Sequence, residues 1–194
     1  MLGVIGRSSG IIGKESLQRL YNALVLPHLQ YCLMAWGDFQ GNHNIKQRDA
    51  LLKLQKKFVG IIAGKRERYH ADPLFAGLQI LKIDDLYRQQ LRVHAWKFWN
   101  GKLPGCQAQA LSKSSEVHGH DTRAAQKGLS IRTQDHKSIS YRVPKEWGML
   151  REEQRGMKAL TGFKRMSRKS FLSMYGEFKC EIRGCYVCGG IGII

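Results

Sequence analysis

Within residues 45–63 the apolar side chains Leu51, Leu54, Phe58 and Ile61 recur at three- and four-residue steps, flanked by Leu52, Val59 and Ile62. That spacing makes one continuous apolar face only on an α-helix; a strand would scatter the same residues over both faces. Such a stripe must be buried against other elements, so the pattern commits this part of the chain to packed helices. Lys46, Arg48, Lys53, Lys56 and Lys57 fall largely on the rest of the helix surface. Gly64 is placed to stop the helix in a left-handed turn. Gly60, inside the pattern, costs about 1 kcal/mol relative to Ala.

The neighbouring segments extend the helical reading. Leu17, Leu20, Tyr21 and Leu24 predict a helix starting near Lys14, which Pro27 should kink or end, followed by an apolar helical piece over 28–36. Asp72 before Pro73 predicts a helix start, and Asp84 is placed to cap a helix carrying Tyr87, Leu91, Ala95 and Phe98. Asn100-Gly101 closes that helix and Pro104 prevents its restart. Small and polar residues over 105–128 predict a linker or irregular segment. Weak alternation over 129–133 and 138–143 predicts a short hairpin, and Thr161 is placed to cap a last helix with Phe163, Met166, Phe171 and Met174. The expected class is mainly α. A helical domain over 1–104 precedes a linker over 105–128, a less regular α+β region over 129–176, and a Cys/Gly-rich tail over 177–194 that should fray.

Charge narrows the partner. The 194 residues include 32 Lys+Arg and 15 Asp+Glu, a formal net charge of +17, so nucleic acid or an acidic membrane face is indicated. The excess lies along patterned elements rather than in a tail. Residues 45–68 carry eight Lys/Arg against Asp49 and Glu67, and residues 151–169 carry seven against Glu152 and Glu153. A 43% hydrophobic content with four Trp, seven Tyr and seven Phe excludes a disordered polyelectrolyte. The start has no basic segment followed by an apolar run, so no signal peptide is expected, and the apolar stretch over 23–36 is broken by Pro27, His28 and Gln30. Five cysteines, an odd number, point to reduced thiols of an intracellular protein.

Few constellations suggest chemistry. Cys180, Cys185 and Cys188 have metal-ligand spacing but lack a fourth nearby ligand; His118, His120 or His136 would have to complete a zinc site, and a stray cysteine cluster is the alternative. His118 and His120 precede Arg123, which in a polar loop would pair with phosphate or carboxylate. The glycines over 3–13 lack the Lys-Ser/Thr of a phosphate-binding loop. Trp96 and Trp99, beside His94, Arg92 and Lys97, offer either base stacking or core packing.

Seven segments in order carry a family resemblance: LYNALVLPHLQYCLMAWG from Leu20, LLKLQKKFVGIIAG from Leu51, HADPLFAGLQILKIDDLY from His70, WNGKLP from Trp99, HGHDTR from His118, SISYRVPKEW from Ser138, and the FKR helix from Phe163. Together they resemble the C-terminal region of a non-LTR (LINE-type) retrotransposon reverse transcriptase of the jockey-like group, over nearly the whole chain. The departures are Gly60 where that family usually has Arg, the lack of a Gly near Val143, and Gly148-Met149-Leu150-Arg151 in place of Asn-x-Leu-Pro.

The resemblance implies a thumb-like helical bundle followed by a connector, gripping the phosphates of RNA or an RNA–DNA duplex. The cations expected to do so are Lys53, Lys56, Lys57, Lys65, Arg66 and Arg68, then Arg123, Lys164, Arg165, Arg168 and Lys169. It also implies that catalysis belongs to an upstream palm and fingers of the parent chain. Polymerisation needs paired aspartates in a [Phe/Tyr]-x-Asp-Asp motif to hold divalent metals, and Mg2+ is expected only in that palm. Here the one Asp-Asp pair, Asp84-Asp85, follows Lys82 and Ile83 and opens a predicted helix, where the helix dipole accounts for it. No catalytic residue and no cofactor are therefore expected in this chain, and no membrane partner. The alternatives are a decayed retrotransposon fragment or a protein-interaction module without selected activity.

Overall fold

The helix that carries Tyr87 and Leu91 lies at the centre of the fold, packed on several sides. The computed structural model describes residues 2–37, 45–65, 69–117, 128–131 and 133–176. In chain order the helices are α1 (Leu2–Ser8), α2 (Lys14–Leu20), α3 (Leu26–Gln30), α4 (Leu33–Trp36), α5 (Ile45–Ile62), α6 (Ala71–Gly77), α7 (Ile83–Trp99), α8 (Gly105–Ala108), α9 (Ser114–Val117), α10 (Ile139–Gly148), α11 (Glu152–Arg155) and α12 (Leu160–Ser173). A 3-10 turn at Met174–Gly176 follows. The protein is mainly α; among the described residues the only β pairing is an isolated bridge between Lys113 and Leu129.

Helix α7 packs against α3, α4 and α5, and also against α10 and α12. Ile83, Tyr87, Leu91 and Ala95, four residues apart, are all buried, and so are Leu86, Arg92 and Trp96 on other sides. Both parts of the chain therefore share one apolar core, and the expected boundary after residue 104 does not interrupt it. Trp96 of α7 packs on Phe163 of α12 with ring centroids 6.1 Å apart, and Trp99 on Trp147 of α10 at 5.5 Å. The Trp96 indole N–H donates to the Met157 carbonyl at 2.8 Å, so its polar atom is satisfied inside the core.

The expected hairpin does not form. Residues 139–143 belong to α10, capped by Ser138, whose hydroxyl accepts from the Ser140 N–H. Val143, Glu146 and Trp147, at helical spacing, are its buried face, and burying that face outweighs the weak alternation. Residues 128–130 instead pair with 112–114, inside what reads as a linker, through Ser114 N–H to Gly128 O and Ser130 N–H to Ser112 O.

Pro27 does not end the helical run; it stands in the first turn of α3, after the α-helical pattern of α2 has given way to a wider turn. A π turn over Tyr21–Val25 precedes the proline, with the Leu26 N–H reaching back to Tyr21 O. The wider turn accommodates a ring that would otherwise crowd the preceding carbonyls. The chain breaks instead at Cys32, in the left-handed region (φ 47°).

Gly64 (φ 67°) and Gly101 (φ 65°) close α5 and α7 as expected, with Lys65 N–H on Gly60 O and Lys102 N–H on Lys97 O. The starts differ: Asp72, Asp84 and Thr161 each lie just inside their helices rather than at the cap. At α7 distant side chains do the capping. The Lys82 N–H donates to the Tyr175 hydroxyl at 3.0 Å and the Ile83 N–H to Gln55 Oε1 at 2.8 Å. Gln55, fully buried on α5, also donates to the Tyr21 hydroxyl and the Leu81 carbonyl. Gly60 has a packing reason too: an added Cβ would lie 2.1 Å from the Tyr69 hydroxyl, which donates to Lys56 O.

Replacing Gln55 by Leu leaves the Ile83 N–H, the Leu81 carbonyl and the Tyr21 hydroxyl without that partner. Urea unfolding of Gln55→Leu is expected to show a loss of about 3 kcal/mol. A loss below about 1 kcal/mol would show that α7 does not depend on this side chain.

Candidate nucleic-acid interface

The structure divides the cations into those tied to carboxylates or carbonyls and those left to solvent. Arg48 of α5 makes a two-point bond to Asp84, at 2.8 and 2.9 Å. Lys82 Nζ lies 3.0 Å from Asp72. Arg88 and Arg92 of α7 converge on the buried Glu146 of α10, donating at 2.8 Å to Oε1 and 3.0 Å to Oε2. Both guanidinium groups also lie over the ring of Phe171, 5.2 and 4.3 Å from its centroid, which joins α12 to the same cluster. Burial lowers the Arg92 pKa while Glu146 opposes that shift. The cluster holds α7, α10 and α12 together and sets which face of α12 points outward.

That outward face is cationic. Phe163, Ser167 and Phe171, four residues apart, are the buried side of α12, while Lys164, Arg165 and Lys169 are exposed and Arg168 is half-exposed. Lys164 and Arg168, and likewise Arg165 and Lys169, stand at i,i+4 on a helix without an acidic residue. Each like-charged pair costs a few tenths of a kcal/mol in the free helix. Among the described residues no ion pair engages any of the four, and Arg168 is held by donation to the Gln79 carbonyl. Beside this face is a cleft of about 500 Å³, lined on one side by Lys164, Arg165 and Arg168. Gln89, Gln90 and Val93 of α7 and Gln30 at the end of α3 complete it, with no carboxylate in the lining.

On α5, Lys53, Lys56 and Lys57 are exposed and likewise unpaired among the described residues; Lys46, Lys53 and Lys57, at i, i+7 and i+11, share one face. Lys65 follows the helix and is half-buried. Arg66, Arg68 and Arg123 lie outside the described residues, as do His118, His120 and the tail cysteines Cys180, Cys185 and Cys188. His136 is described and packs edge-on against Tyr141, 4.3 Å between centroids. Among the described residues no three His, Cys, Asp or Glu side chains converge as a metal site. Trp96 is a core residue with no exposed surface. Sequence reasoning missed Gln30, Gln89 and Gln90; isolated glutamines carry no signal until the fold places them beside cations.

Asp84 and Asp85 turn to different partners. Asp84 takes Arg48, whereas Asp85 accepts from the Tyr175 hydroxyl. Burial pushes the Asp85 carboxyl above its ordinary value, with the Tyr175 hydrogen bond opposing the shift. No helix among the described residues is long and apolar enough to cross a membrane. Comparisons with family models, curated proteins and solved structures return no match.

A raised carboxyl pKa means that the folded state binds the proton more tightly than the unfolded one, so stability falls as pH rises from 3.8 through the raised value. Asp85→Asn removes the buried charge and keeps an acceptor for Tyr175. Its melting temperature at about pH 7 should equal or exceed that of the parent, with the difference closing on acidification. A variant less stable at neutral pH and more stable in acid would contradict this reading.

Proposed function

We propose that this chain is a non-catalytic, nucleic-acid-binding part of an RNA-directed DNA polymerase of the non-LTR retrotransposon type. It grips the phosphate backbone of a primer–template with the lysines of α5 and the cations of α12. The observation that carries the reading is the division of charge: Arg48, Lys82, Arg88 and Arg92 have carboxylate partners, while Lys53, Lys56, Lys57, Lys164, Arg165 and Lys169 are exposed without one among the described residues. Like charges are tolerated at i,i+4 on α12, and a polyanion would relieve that repulsion. Ammonium and guanidinium groups on helix surfaces position a backbone and release its counterions without reading bases. In this reading polymerisation and its Mg2+ belong to the palm of the parent chain. A decayed fragment fits less well with a core that joins residues from Ile5 to Tyr175 and caps α7 with side chains from two distant elements.

The test is equilibrium binding to an RNA–DNA duplex with a single-stranded template overhang, titrated with salt. Affinity should fall steeply between about 50 and 200 mM. Replacing Lys53, Lys57, Lys164, Arg165 and Lys169 together by Ala should reduce the log–log salt slope by about one unit per phosphate contact removed. Binding insensitive to salt, or an unchanged slope in the variant, would overturn the proposal.

A further inference from the structure

The cleft beside α12 is the middle one of three in a row. Towards the C-terminal end of α7 it adjoins a cleft of about 250 Å³ that shares Gln30, Gln90 and Val93 and adds His94 and Lys97. On the other side it adjoins one of about 430 Å³ that shares Arg165 and Arg168 and adds Gln79 and Lys169. No carboxylate lines any of the three. Each offers cations beside some apolar surface, from Leu33 and Met34 at one end, Val93 in the middle and Leu172 at the other.

We infer that these three clefts form a path for single-stranded nucleic acid, with consecutive nucleotides in consecutive clefts, while the exposed lysines of α5 take the duplex. The inference rests on the reading above and divides its two cationic faces by ligand. Volumes of a few hundred Å³ match sites for one small molecule each. A duplex is a rod whose major groove alone is about 12 Å wide, and it cannot enter them. The polar lining suits an unpaired strand. Lys97, Lys164, Arg165 and Lys169 supply donors for phosphates. Gln89 and Gln90 each donate one N–H to the carbonyl of Lys164 or Gln30, at 3.3 and 3.1 Å, which leaves each a second N–H and an amide oxygen, the latter an acceptor for a ribose hydroxyl or a base N–H. Such acceptors have no use for phosphate and are of use to the sugar and base edges that an unpaired strand exposes.

The test uses the full chain and fluorescence anisotropy at low salt, with a labelled oligouridylate and a labelled blunt RNA–DNA duplex. Arg165 lines two of the clefts and Lys97 the third. The double variant Arg165→Ala, Lys97→Ala should weaken oligouridylate binding at least about tenfold and change duplex binding by less than about threefold. Lys53→Ala with Lys57→Ala should do the reverse. Thermal melts check that both variants keep the parent's fold. Equal weakening of both ligands by the first variant, or unchanged oligouridylate binding, overturns the single-strand path and leaves the duplex reading standing. Failure of the parent chain to bind either ligand overturns the proposed function itself. Displacement of oligouridylate by polyglutamate at equal charge concentration, as effective as displacement by unlabelled oligouridylate, would mean that the clefts take acidic peptide, and would equally overturn the path.

Discussion

A helix enclosed by neighbours on several sides needs partners for the polar groups it buries, and α7 draws several of them from distant parts of the chain. Gln55 and Tyr175 occupy the N–H groups at its start, Glu146 takes its two arginines, and the Met157 carbonyl takes the indole of Trp96. Unanswered, each buried group would cost on the order of 1–3 kcal/mol, a large share of the net stability of a chain this size. Helices α5, α10 and α12 are each tied to α7 by at least one of these contacts or by its rings, so their outer faces are set by the same core.

The same arrangement explains how a chain of net charge +17 can fold. Its acidic residues are too few to pair with every cation, and Asp72, Asp84 and Glu146 pair with cations packed against the core or between helices. Glu146 serves two arginines at once. Exposed cations without a carboxylate partner among the described residues include runs on α5 and α12, where water solvates them at little cost and a polyanion has access. Self-repulsion on those faces is a standing destabilisation that binding would remove.

Much of the helical part was legible in the sequence, for identifiable reasons. The α5 stripe, the glycine stops at Gly64 and Gly101 and the polar exposure of Lys53, Lys56 and Lys57 follow from local periodicity and backbone sterics. The start of α7 was displaced because Asp84 is drawn to Arg48, thirty-six residues away, and the cap duty passes to Gln55 and Tyr175. The hairpin failed because short alternation cannot compete with Val143, Glu146 and Trp147 on one helical face. Of the interface, α12's cations were legible as a run of Lys and Arg. Its glutamine-lined clefts were not, because they exist only where α3, α7 and α12 meet.

Under the proposed function two particular sets of lysines, and not the charge excess as a whole, meet nucleic acid. The most direct measurement is lysine acetylation, read by mass spectrometry, with and without a saturating primer–template. Lys53, Lys56, Lys57, Lys164 and Lys169 should be protected, while Lys14, exposed on α2, should react equally in both samples. Uniform protection of every exposed lysine, or protection that spares α5 and α12, would contradict the account.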